Sequence, residues 1–175
     1  AVPQAAAARL GALRIFAVPH LACAGASEFV WPEPPEGESH SSLWLEQPRG
    51  LDLFLAFGGA DAHDIGFELL AAVADLLVLR LSDEEFASYA RLIERELREG
   101  ATGEIDEDAL EAKNSGQIDY VGVSLASTLA EYMHALWHDV KVRRGPQHLP
   151  GKFLRRRFEL LQDIFPPNPG SILFR

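Results

Sequence analysis

Apolar and polar positions change their period partway along the chain. Leu51, Leu53, Leu55 and Phe57 alternate with Asp52, Phe54 and Ala56. A short run with one wholly apolar face and a second mostly apolar one predicts a strand covered on both sides. Gly58-Gly59 breaks the run where glycine can close a strand-to-helix turn. Asp61 is suited to cap the helix that follows, with Asp64 in its first turn. Over residues 65–81 nearly every position is apolar, leaving Asp64, Glu68 and Asp75 as a narrow polar stripe that Ala71 continues. A helix of this kind is covered on several sides. It is too short and too closely flanked by charge for a membrane span.

On the amino-terminal side, residues 13–18 (LRIFAV) and 28–31 read as strands, and 43–46 as a third that leads through Pro48-Arg49-Gly50 into the central one. Between them, residues 31–42 hold three prolines with glycine, serines and acids, a composition that neither donates to a ladder nor packs. On the other side the period is helical. Ser82 and Glu85 form a capping box for a helix reaching Arg98, with Phe86, Ala90, Ile93 and Leu97 as its inward face. Gly100 stops it. Residues 101–116 are the most polar stretch, a connector or a short helix over 106–113, and their acids lack calcium-loop spacing. A third major helix is expected over 118–142, with Val121, Leu125, Leu129, Tyr132, Leu136 and Val140 in its apolar stripe and Gly145-Pro146 at its end. A fourth, over 151–165, turns Leu154, Phe158, Leu161 and Phe165 inward and its arginines outward. The expected fold is therefore α+β: a small N-terminal sheet of three to four strands packed on a C-terminal set of about four helices. Parallel pairing of the strands, giving an α/β sandwich, is the alternative.

Length adds a bound: 175 residues suit one domain with a sizeable core. Residues 13–57 would form its sheet and 61–165 its helical part. The first twelve residues, Ala-rich and acid-free with Arg9, share the composition of organelle-targeting segments and are expected to be a disordered or processed arm. A single cysteine, Cys23, excludes an intrachain disulfide and fits a reducing intracellular compartment, whether cytoplasm or organelle interior. The net charge of −10 argues against nucleic acid and for solubility or a basic protein partner. That charge is uneven. Lys141, Arg143, Arg144, Lys152, Arg155, Arg156 and Arg157 have no acid among them. Arg143, Arg144, Arg155, Arg156 and Arg157 are thus a candidate interaction patch.

Two constellations carry chemistry. Glu131, His134 and His138 lie at i, i+3 and i+7 of the third helix, where donors on one surface can hold zinc or iron. Ala135 stands where a zinc peptidase has its glutamate, and a second Glu-x-x-His for a di-iron bundle is lacking. The other is Phe16-Ala17-Val18-Pro19-His20, which resembles the strand-end motif of phosphotransferase-system IIA domains of the fructose and nitrogen class. Leu43 to Pro48 and then 52–77 are similar to that family's strand, loop, strand and helix order. The resemblance spans about 13–97 and implies a phosphocarrier or sensor in which His20 accepts a phosphoryl group from a histidine phosphocarrier protein.

With no catalytic constellation complete, the sequence points to a non-catalytic protein-interaction role without a cofactor. The chain would be a subunit or accessory factor of a larger assembly, or an acidic inhibitor of a basic partner. The charge polarity, three tryptophans, proline-rich loop and apolar tail supply contact surfaces.

Overall fold

A computed structural model of the chain describes residues 1–22, 29–36, 39–137, 149–171 and 173. Its class is α+β. The elements in order are α1 (Gln4–Leu10), β1 (Leu13–Val18), β2 (His20–Leu21), β3 (Val30–Trp31), β4 (Ser42–Gln47), β5 (Gly50–Ala56), α2 (Ala62–Val78), α3 (Asp83–Arg98), α4 (Glu107–Ser115), α5 (Tyr120–Trp137) and α6 (Gly151–Ile164). They fall into two compact units, residues 10–73 and residues 1–9 with 74–175.

The first unit is organised around β5, the strand with the most continuous apolar pattern. It is the centre of a three-stranded sheet ordered β1-β5-β4. β1 runs parallel to β5, from Leu13 opposite Leu51 to Val18 opposite Ala56, and β4 runs antiparallel, so the sheet is mixed. The two-residue turn Pro48-Arg49 joins β4 to Gly50 at a φ of 150°. A side chain there would meet the Ala12 carbonyl oxygen at 2.1 Å, so only glycine fits. Leu51, Leu53 and Leu55 share one face, where Leu53 and Leu55 form a core with Ala72, walled by Leu13, Trp44 and Leu69. The opposite face holds Asp52, Phe54 and Ala56. There Phe16 stacks on Phe54 at 4.9 Å and Phe29 meets Phe54 edge-on at 4.8 Å. Beyond β1, β2 and β3 make a two-stranded ribbon pairing His20 with Trp31.

The second unit is helical. Residues 4–10, expected within a disordered or processed arm, are helix instead. Ala6 is buried, Arg9 grips Glu85 through two hydrogen bonds of 2.7 and 2.5 Å, and Asn168 accepts from the Gln4 N–H while donating to the Val2 carbonyl. Those partners are distant in sequence, which is why local pattern does not reveal them. The capping box forms as read: Ser82 accepts from the Glu85 N–H and the Glu85 carboxylate accepts from the Ser82 N–H. The polar stretch becomes α4, capped by Asp106 and ended by Gly116 in the left-handed conformation.

The inward face of α3 differs from the expected one. Tyr89, Leu92, Ile93 and Glu96 are buried, whereas Phe86 and Leu97 are among the exposed apolar residues. The helix is turned because two polar side chains are inside with partners. Tyr89 donates to the Ser124 carbonyl at 3.0 Å and shares a 2.7 Å hydrogen bond with the Thr128 hydroxyl. Glu96 binds Arg157 at 2.8 Å. Hydrophobic periodicity scores such residues as surface.

Candidate functional site

Arg157 corrects the reading of α6. It was expected to point outward with its neighbours as part of a basic patch, yet only 1% of it is exposed. Its guanidinium lies between Glu96 of α3 and Glu104 of the α3–α4 connection, donating to Glu104 at 2.7 and 3.1 Å and to the Ser124 hydroxyl at 3.0 Å. Glu104 also accepts from the Tyr120 hydroxyl, from Ser124 and from the Ile105 N–H. Burial works against its carboxylate, but the hydrogen bonds and charge of Arg157 prevail and hold it below the ordinary range. Glu96 has fewer donors, and burial lifts it above that range despite Arg157. A buried cation that binds two acids and a hydroxyl from three other parts of the chain is a structural element, not a docking surface. Of the remaining patch, Arg155 is exposed, Arg156 is paired with Glu99 at 2.6 Å, and Arg143 and Arg144 lie outside the described residues.

Of the three donors expected for a metal, Glu131 and His134 are among the described residues. His134 Nδ1 stands 3.3 Å from a Glu131 carboxylate oxygen on α5, and His138 lies outside the described residues. Burial raises the Glu131 carboxyl, with His134 opposing the shift. Among the described residues no group of three or more His, Cys, Asp or Glu side chains is arranged to hold a cation.

His20 is half-buried at the start of β2, just past the carboxyl end of β1. Its ring rests where a Cβ on residue 58 would stand, 2.2 Å from Cε1, so glycine at 58 is what admits the imidazole. The Gly58 N–H donates to the Pro19 carbonyl at 2.9 Å and fixes this approach. Together with His40, His63, Asp64, Phe67 and Glu68, His20 lines a cleft of about 440 Å³. No lysine or arginine is among the described residues that line it. The α2 terminus beside it is already served by Asp61, which accepts from the Asp64 and His63 N–H groups and is held below its ordinary range by them. At that helix terminus a carboxylate therefore holds the N–H groups that a phosphoryl group would need.

The feature that sequence reading passed over is the outer edge of β1. Among the described residues β1 pairs with β5 alone. Arg14, Ile15, Phe16 and Ala17 are consecutively exposed, Ile15 to 50% and Phe16 to 38%. Its one charge is drawn back over the sheet, since Arg14 donates to Asp52 through two hydrogen bonds of 2.6 and 2.7 Å. Strand edges in natural proteins are commonly guarded by lysine, proline or a bulge. β1 has no lysine or proline, and its six-residue pairing with β5 is unbroken. The other edge strand, β4, does carry polar Glu46 and Gln47 at its end. The signal was present in LRIFAV, a wholly apolar run apart from Arg14, but a run of this kind reads equally well as a central strand.

No family model, no curated protein and no solved structure matches the chain.

Proposed function

We propose that the chain is a non-catalytic protein-interaction subunit that binds through the edge of β1 that no other described strand pairs. The observation that carries this is the run of exposed apolar residues on a strand edge left unpaired among the described residues. Such an edge offers a row of backbone donors and acceptors in register with pockets for alternate side chains, the geometry of strand addition. That no lysine or arginine is among the described residues lining the His20 cleft favours this reading over the phosphocarrier one. A single cysteine supports a reducing compartment, and no helix among the described residues is long and apolar enough to cross a membrane. Native mass spectrometry of the protein isolated from its source is the test. An assembly heavier than the monomer that disappears in Ile15→Lys is expected. A monomer, or an assembly untouched by the substitution, overturns the assignment to β1.

A further inference from the structure

The edge of β1 is complementary to itself, and we infer that its occupant is a second copy of this chain, paired antiparallel to form one continuous six-stranded sheet. This rests on the interaction reading and supplies its partner. A twofold axis perpendicular to the sheet preserves its faces, so residues facing one another across the axis have the same parity. With Ile15 on the axis, Leu13 faces Ala17 of the other copy, a large side chain against a small one. Arg14 faces Phe16 of the other copy. That pairing repeats between chains the cation–ring contact made within one, where the Arg14 guanidinium lies 5.8 Å from the Phe16 centroid.

Charge permits the meeting. The net charge of −10 repels two copies at long range, but the strand itself has no carboxylate and its cation is matched by Asp52. At physiological ionic strength the acidic remainder is screened beyond roughly 8 Å. The two Arg14 side chains become diagonal neighbours across the axis, each with its charge matched by its own Asp52. Strand pairing over six residues falls short of the ~1,200 Å² of a permanent interface, so the dimer belongs in the weak class, with a dissociation constant on the order of micromolar.

The sign of the salt dependence separates this occupant from a basic heterologous one. Two acidic copies associate more tightly as salt rises, whereas an acidic chain releases a basic partner. Sedimentation of the purified full chain from 1 to 500 µM, in low and high sodium chloride, reads this directly. The expected result is a monomer–dimer equilibrium that shifts toward dimer with salt and is lost in both Ile15→Lys and Phe16→Lys. Hydrogen exchange of the 13–18 amides should slow as concentration rises. A chain that stays monomeric throughout overturns the second-copy assignment. So does a dimer that survives both substitutions, or one without protection at 13–18. The first of these results leaves the interaction reading to be decided by the source-isolated assembly, so the two fail separately.

Discussion

The two units invert the usual placement of side chains in opposite ways. In the helical unit Arg157, Glu96 and Glu104 are withdrawn from water among leucines and phenylalanines. In the sheet unit Ile15 and Phe16 stand in water on the flank of a leucine-lined strand. The difference lies in what each group finds around it. Arg157 meets hydrogen-bond acceptors on α3, α5 and the connection that follows α3, so its burial holds these segments together. Ile15 finds no strand on its outer side among the described residues and stays 50% exposed. The charge inside is held by partners within the chain, and the apolar residues outside are what the proposed association would cover.

The comparison breaks most sharply at Arg157. Replacing it with Met leaves Glu96 and Glu104 buried without a counter-charge and should cost about 3–5 kcal/mol in urea unfolding. Arg157→Lys should recover little of this, because one ammonium cannot reproduce the guanidinium fork. Its neighbour is the control: Arg156→Gln removes a solvent-exposed pair with Glu99 and should leave the unfolding midpoint unchanged within error.

Gly58→Ala tests whether the sheet unit has a packed site of its own. The new methyl collides with the His20 ring and should destabilise by roughly 1–3 kcal/mol. Gly58→Ala combined with His20→Ala should lose much less than the sum of the two single changes, a coupling that thermal melts of all four proteins measure.

Arg9→Gln probes the middle ground, a half-exposed pair in the helical unit. At pH 7 it should cost about 0.5–1 kcal/mol. The hydrogen bonds from Arg9 hold Glu85 down at about 2, below its unfolded value. The contribution is therefore complete above the ordinary carboxylate range and lost as pH falls toward 2. The gap between wild type and Arg9→Gln should close across that interval in acid titrations followed by circular dichroism.

Smallest in stability is Ile15→Lys, expected within about 0.5 kcal/mol of wild type while it removes self-association. A large loss of stability there would mean that Ile15 belongs to the core, and the contrast between the units would fail.

Much of the local structure was legible. The alternation of Leu51, Leu53 and Leu55, the Ser82–Glu85 box, the Asp61 cap and the inward Leu154, Phe158 and Leu161 follow from period and capping chemistry between near neighbours. The candidate site was not. Ile15 and Phe16 look like any strand residues, and their exposure depends on β5 taking β1 on one side while nothing among the described residues takes the other.

By itself, then, the sequence determined the α+β class, the central strand and the order of strand and helix from β4 onward, because each depends on side chains within a few residues of one another. Tertiary structure decided which strand was left at the edge, which face of α3 turned inward, and that Arg157 of three consecutive arginines went inside. Those outcomes depend on partners 53 and 61 positions away for Arg157, and on a parallel strand 38 positions away for Arg14. Pairing at such separations is set by which groups find hydrogen-bond partners when the chain closes, which no local period encodes.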